Sequence, residues 1–278
     1  MPAHADGRAY QRFNLHQRIQ HILMFSSFIV LTFTGLPIKY DYTSWAKVAV
    51  SLFGGFENMF TIHLIGAVVM IISSVYHLAY LVIYPALTRR ISLAAVPTLK
   101  DITDVFQNLQ YLLGLRKDPP LFGRYSYKEK FDYWAVFWGM VIMAGSGLMM
   151  WFPGIAAEFL PRWIIDSARY AHSDEAMLAI LAIFVWHFYN VHFSPSFFPM
   201  NHVWYTGAMA EEMMHEEHPL ELKQRRASGD LKDNLPACGP VGKEGQFIKN
   251  RRLIIAEILI YAVILLIFLY YFLPLGLS

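Results

Sequence analysis

Six of the eleven histidines, His21, His63, His77, His172, His187 and His192, fall within or at the edge of long apolar stretches. Ionisable side chains are costly there, so they line a site or face the interior of a helix bundle. Any one alone is as well explained by a hydrogen bond to a neighbouring helix; the spacing points to metal ligation. His63 and His77 are 14 residues apart. On one helix they would lie within about 40° of one face and about 21 Å apart along it. His172 and His187, 15 residues apart, would lie within about 60° and roughly 22 Å apart. Two helices thus each offer one imidazole near one surface and one deeper. Two iron porphyrins stacked along a four-helix bundle require such an arrangement. His63 and His172, at equal depth, would hold an outer iron. His187 would hold an inner one, with His21 or His77 as its partner. The number of histidines leaves room for a third haem. His192 points about 140° away from His187 and suits an interfacial position as well as a ligand.

So large a ring needs clearance. Gly35 follows His21 by 14 residues, so the first apolar segment could ligate the inner iron and still clear the outer one. Gly66 lies one turn from His63, and Gly139, Gly145 and Gly147 give the histidine-free third segment a small-residue face. Close helix packing also uses small residues; the nearby histidines favour haem. The single cysteine, Cys238 in a Pro-Ala-Cys-Gly-Pro turn, excludes an intrachain disulfide, an all-cysteine iron–sulfur site and Cys-x-x-Cys-His attachment. The haems would therefore be b-type, held non-covalently, and the thiol reduced and without a catalytic role. Quinone reduction also needs protons. Asn190, one turn beyond His187, and Glu129 or Asp132, at the inner end of the third segment, are candidates. The plainer reading has Asn190 bonding across helices and the carboxylates pairing with Lys128 or Lys130.

The elements that carry these residues follow from composition. Of the 278 residues 56% are hydrophobic and 16% charged, against about 25% charged in soluble domains. Net charge is +2 with no basic tract, so nucleic acid is not an expected partner and membrane lipid is. A bilayer core of about 30 Å needs roughly 20 helical residues. Segments 19–37, 59–85, 133–152, 171–193 and 253–273 qualify, with prolines 37, 85, 153 and 195 at the ends of the first four. The fold expected is all-α: a transmembrane four-helix haem-binding bundle plus a fifth, C-terminal transmembrane helix. Residues 1–200 would form the four-span core, 201–250 a polar cytoplasmic linker and 251–278 the last span. The polar N-terminal stretch has no small-residue cleavage site after it and reads as leading into a retained helix. Three basic residues in the N-terminal tail, eight in 86–130 and eight in 198–252 put 19 of the 23 on one side. The positive-inside rule then places the N-terminus in the cytoplasm and the C-terminus in the periplasm of a bacterial inner membrane. Apolar residues at helical spacing over 98–113, opened by a Thr98–Asp101 capping box, predict an amphipathic helix on the inner surface. His202, His215 and His218 with Glu211, Glu212, Glu216 and Glu217 could bind metal but read better as a solvated helix. No internal repeat is legible.

The stretch Arg12-Phe13 … Arg18-Ile19-Gln20-His21, ending in Thr34-Gly35-Leu36-Pro37, resembles the first span of the formate dehydrogenase gamma subunit family, which includes cytochrome b subunits of hydrogenases and thiosulfate reductases. Tyr76-His77-Leu78, Glu129-Lys130-Phe131-Asp132-Tyr133-Trp134, Gly147-Leu148 and Trp186-His187-Phe188-Tyr189 are similar echoes, over roughly residues 10–220. The resemblance implies a di-haem b cytochrome coupling a periplasmic iron–sulfur or multihaem cytochrome partner to menaquinone or ubiquinone. It maps the outer haem to His63 and His172 and the inner one to His21 and His187. His77, His192 and the fifth span depart from its pattern. Three rivals stand beside it: a ferric reductase-like cytochrome with a soluble donor, a histidine-lined metal or proton transporter, and a plain membrane anchor. The transporter would intermingle carboxylates with histidines inside the spans, and only Asp174 and Glu175, at the edge of the fourth, come close. The anchor leaves the histidines unexplained.

Overall fold

The computed structural model describes residues 8–89, 92–194, 197, 198, 200–228, 235, 236 and 262. The expected fifth span, apart from position 262, and Cys238 lie outside the described residues. The other four spans are helices: α1 (Leu15–Lys39), α3 (Phe56–Thr88), α5 (Tyr127–Trp151), and α7 (Arg162–Leu181). The last runs on as π-helix through Ala182–His187 and Tyr189–Phe193. Between them lie the short helices α2 (Ser44–Leu52), α4 (Leu99–Leu112) and α6 (Pro153–Phe159). At most 22% of the apolar window of any span is buried inside the protein. Helices that turn most of an apolar surface outward need a bilayer to cover it.

The spans overrun the hydropathy-based limits. The fourth begins at Arg162, not 171, because Pro161 caps a helix whose first turns carry Arg162, Asp166 and Arg169. Those charges lower the local hydropathy without interrupting the helix. Pro37 and Pro85 lie within α1 and α3, not at their ends. A proline near a helix C-terminus forfeits one backbone bond, and the chain continues for two or three residues. Pro153 does stop its helix, opening α6 instead.

Two units divide the described chain. The larger spans His16–Arg116 and Tyr125–His187. In it α1 packs on α3 so closely that a Cβ on Gly66 would lie 3.1 Å from Val30 and 3.3 Å from Leu31. Ser27 and Ser73 bond across the same interface, to Met70 Sδ and the Gln20 carbonyl. α5 packs on α7, with Phe131 and Trp186 edge to face. α4 has the expected capping box. It is tied to α5 by Lys130 donating to both Asp101 oxygens at 2.9 Å and by Asn108 donating to Tyr127. Burial alone would raise the Asp101 carboxyl, but Lys130 and the Thr98 donors outweigh it and hold it below its ordinary value. The apolar face of α4, with Leu99, Ile102, Phe106 and Leu109, remains exposed, as a membrane-surface helix requires.

The smaller unit comprises residues up to Leu15, Lys117–Arg124 and the chain from Phe188. Here residues 203–227, expected within a linker, are instead ordered. Strand β1 (Arg8–Gln11) lies between β2 (Ala208–Ala210) and β3 (Leu235–Pro236), both antiparallel to it. The small helices α8 (Val203–Thr206), α9 (Glu211–Glu217) and α10 (Pro219–Ala227) flank the sheet in sequence. Tyr10, Val203, Met209, Met214 and Leu222 form its core. Beside that core the buried Glu221 accepts from Arg12 at 2.6 Å, Arg124 at 2.8 Å and Arg225 at 2.9 Å. Burial by itself would raise the Glu221 carboxyl, but the three guanidiniums hold it below its ordinary value. Of the histidines and acids of 202–218, His218 and Glu211 bond within this unit. His218 Nδ1 meets the Gly123 carbonyl at 2.8 Å, and Glu211 pairs with Arg226. Among the described residues no group of three or more histidine, cysteine or acidic side chains could hold a metal ion.

Candidate functional site

The outer tier of the bundle is built twice over. On α1, Thr34 Oγ1 lies 2.8 Å from His63 Nδ1 of α3. On α5, Ser146 Oγ lies 3.0 Å from His172 Nδ1 of α7. Each hydroxyl donates its own proton along its helix, Thr34 to the Val30 carbonyl at 2.7 Å and Ser146 to the Ile142 carbonyl at 2.6 Å. The oxygen must then accept from the imidazole, which sets both rings in the Nδ1–H tautomer and makes Nε2 the lone-pair nitrogen. That is the form in which a neutral histidine ligates a metal, with its second nitrogen oriented by a hydrogen bond. The following residues, Gly35 and Gly147, complete the match. A Cβ on either would lie 3.2 Å from the Cε1 of the adjacent imidazole. His63 and His172 are near enough to interact electrostatically across the bundle.

Fourteen residues earlier on α1 and α5 the pattern repeats at the inner tier. Gln20 Oε1 lies 2.9 Å from His77 Nδ1, and Asp132 Oδ2 lies 3.1 Å from His187 Nδ1. The chain therefore carries a two-fold motif that its residue types conceal. Gln20, Thr34 and Gly35 correspond to Asp132, Ser146 and Gly147; His63 and His77 correspond to His172 and His187. The single extra residue between His172 and His187 falls in the π-helical stretch, whose wider turn absorbs it. The simple α-helical offset of about 60° therefore does not apply.

The two halves differ in the next residue. After Gln20 comes His21, which interacts electrostatically with His187. After Asp132 comes Tyr133, whose hydroxyl lies 3.0 Å from His77 Nε2. His77 thus has a partner at each ring nitrogen, Gln20 and Tyr133. The structure brings His63 with His172, and His21 with His187, and engages His77 separately. Among the described residues Gln20 Nε2 is buried without an acceptor, a donor of the kind that a bound ligand's oxygen satisfies.

The remaining candidates fall elsewhere. Gly66 faces Val30 and Leu31 and serves close helix packing. Glu129 accepts from the Ser126 amide and hydroxyl, capping α5. His192 and Asn190 lie in the second π-helical segment, in the smaller unit. There His192 Nδ1 is 3.4 Å from the Asn201 amide. Sequence reasoning missed Thr34, Ser146, Gln20 and Tyr133. The signal available was the recurrence of Thr-Gly-Leu at 34–36 and Ser-Gly-Leu at 146–148, each 14 residues after an amide or acid.

The donor set fits iron porphyrin. Imidazoles from different helices interact in pairs, His63 with His172 and His21 with His187, and the adjacent helices are stripped to glycine where a side chain would press on His63 and His172. Comparison with known proteins agrees. The family model for prokaryotic cytochrome b561 matches residues 12–197, which takes in every histidine just discussed and all four described spans. No curated protein matches the chain. The chain belongs to the prokaryotic cytochrome b561 family, membrane-embedded b-type cytochromes that bind haem b and transfer electrons.

Proposed function

We propose that this cytochrome is the quinone-reactive subunit of a respiratory redox complex in a bacterial inner membrane, of the formate dehydrogenase gamma kind. Two b haems would be held, the outer by His63 and His172, the inner by His21 and His187. The observation that carries the reading is the repeated hydroxyl–imidazole–glycine unit at the outer tier, with Asp132 orienting His187 at the inner one. Bound there, iron porphyrin supplies reversible one-electron transfer at a potential set by its ligands and their hydrogen bonds. The protein's own groups orient, exclude water and hold protons. Thr34 and Ser146 fix the outer imidazoles. Asp132 fixes His187 and is the carboxylate placed to pass a proton to a membrane quinone, menaquinone or ubiquinone. Gln20 Nε2 offers a buried donor at the same tier.

The distribution of basic residues supports a cytoplasmic N-terminus and a cytoplasmic α4. The His63–His172 tier would then face a periplasmic iron–sulfur or multihaem cytochrome partner, and His21–His187 the quinone. His77, held between Gln20 and Tyr133, is read as a positioning residue and not as a ligand of a third haem. The test is anaerobic mixing of the dithionite-reduced protein with a short-chain menaquinone or ubiquinone. The b-type bands should reoxidise at a rate set by quinone concentration, more slowly in Asp132→Asn. Reoxidation independent of quinone would overturn the quinone assignment.

A further inference from the structure

The two-fold motif gives the inner tier two equivalent positions, and the residues at them differ. At one, His21 interacts with His187, whose Nδ1 meets Asp132. At the other, Tyr133 stands in the place of His21, and its hydroxyl lies 3.0 Å from His77 Nε2. Gln20 Oε1, 2.9 Å from His77 Nδ1, can only accept. The His77 proton is therefore on Nδ1, Nε2 carries the lone pair, and the Tyr133 hydroxyl donates to it. His77 has no nitrogen left to ligate a metal.

The hydrogen bonds thus run in one direction, from Tyr133 to His77 and from His77 to Gln20. They end on the Gln20 amide nitrogen, which among the described residues is buried without an acceptor. Gln20 is only 5% exposed, and a donor at that burial calls for a partner. Ser73 is not that partner, because its hydroxyl meets the Gln20 carbonyl, at 3.4 Å. The three side chains of the chain are uncharged, so they suit a neutral oxygen and not a phosphate or carboxylate, which draws arginine or lysine. Arg18 lies about 200° around α1 from Gln20, and Lys130 is held by Asp101. His77 and Tyr133 are half-buried, while Ile19, Val75, Leu78 and Phe131, near them in sequence, are exposed. On a membrane span that exposure is to lipid, so a ligand reaches this position through the bilayer.

We propose that Gln20, His77 and Tyr133 hold the quinone head group, in the half of the inner tier that ligates no iron. Gln20 Nε2 donates to one ring carbonyl, and His77 and Tyr133 position it. The inference deepens the quinone reading above and rests on it. A quinone brings a neutral carbonyl oxygen on a lipid-soluble ring. Gln20 adjoins His21 and Tyr133 adjoins Asp132 in sequence, so the head group is one residue removed from both the inner haem ligand and the carboxylate that passes protons. Gln20 is the binding residue. His77 acts through it, because its Nδ1–H fixes Oε1 and with it the direction of Nε2.

The test uses the full-length haem-loaded protein in nanodiscs, with short-chain ubiquinone and menaquinone carrying isotopic carbon at the ring carbonyls. Infrared spectra of the bound, oxidised quinone should show one carbonyl stretch lowered relative to the free molecule. Gln20→Met, close in volume but without a donor, should abolish that lowering. The quinone Kd should rise about fivefold in Gln20→Met, as for the loss of one neutral hydrogen bond. His77→Phe should raise it about threefold by freeing the amide to turn. His77→Asn, whose amide nitrogen takes the place of Nδ1, should restore it. The haem-to-protein ratio checks the fold of each variant, and if Gln20→Met loses haem the wild-type stretch decides alone. Two unshifted ring carbonyls in wild type, or a Kd unchanged in Gln20→Met, overturns the proposal. So does a haem potential moved by Gln20→Met with quinone binding intact, which would give the donor to a haem propionate, or a lowered stretch found only on phospholipid esters. Quinone-dependent reoxidation beside any of these results leaves the proposed function standing. A protein that neither binds quinone nor is reoxidised by it overturns both.

Discussion

Removing the acceptor behind an outer imidazole should move one haem potential and leave the other alone. Thr34→Val keeps the side-chain volume and deletes the oxygen 2.8 Å from His63 Nδ1; Ser146→Ala deletes the equivalent oxygen 3.0 Å from His172 Nδ1. A neutral hydrogen bond is worth about 1 kcal/mol net. An acceptor at Nδ1 makes the imidazole a stronger donor to iron and favours the ferric state. Losing it should raise the potential by roughly 40 mV if the whole bond is redox-sensitive, since about 1.4 kcal/mol corresponds to 59 mV for one electron. The two substitutions act on opposite axial ligands of one iron, so the double variant should shift by roughly 80 mV. Spectropotentiometry of the purified protein, resolving the b-type components, reads this directly. Asp132→Asn is the control, since it should shift the other component. If Thr34→Val and Ser146→Ala moved different components, or neither, His63 and His172 do not share an iron.

Other expectations follow from the same geometry. Gly147→Val, which puts branched carbon against an imidazole already 3.2 Å from an added Cβ, should lower the haem-to-protein ratio of the outer component, measured by pyridine haemochrome. His77→Phe should retain the full haem complement, because both nitrogens of that ring are engaged by Gln20 and Tyr133. In the smaller unit, Arg12→Ala strips one guanidinium from the buried Glu221. Breaking such a pair costs about 3–5 kcal/mol, so the amides of β1 and β2 should lose hydrogen-exchange protection. The Glu221 carboxyl is held below its ordinary value. Its stabilisation is therefore complete above the ordinary glutamate range, near about pH 4.3, and is lost as pH falls through the lower folded-state value. Protection of β1 should fade over that acid interval, and Glu221→Gln should remove this pH dependence.

The legible parts of the molecule were those where one residue type suffices. Long apolar runs mark spans because the bilayer penalises every polar residue alike. Histidines stand out within them for the same reason. The α4 capping box was readable because Thr98 and Asp101 are local partners. Less was visible where meaning depends on a neighbour distant in sequence. Thr34 and Ser146 are ordinary in a membrane helix until His63 and His172 are seen against them. His77 is the equal of His21 as a partner for His187 until Tyr133, in the place of His21, is seen at its Nε2. The two-fold motif escaped notice because one half uses Gln20, His21 and Thr34 where the other uses Asp132, Tyr133 and Ser146. The extra residue absorbed by the π-helix also breaks the spacing. The fourth helix starts nine residues before its apolar run because Arg162, Asp166 and Arg169 lower the hydropathy of its first turns. The polar stretch 201–228 resembled a linker because its core is small and its charges pair mostly with distant partners, Arg12 and Arg124 among them.

The central claim is that two b haems are clamped by four named imidazoles, and haem stoichiometry in four single variants tests it most directly. Wild-type protein should bind two haems per chain. His63→Leu and His172→Leu should each lose the same spectral component, and His21→Leu and His187→Leu should each lose the other. Retention of both haems in any of the four, or loss of different components by His63→Leu and His172→Leu, would contradict it.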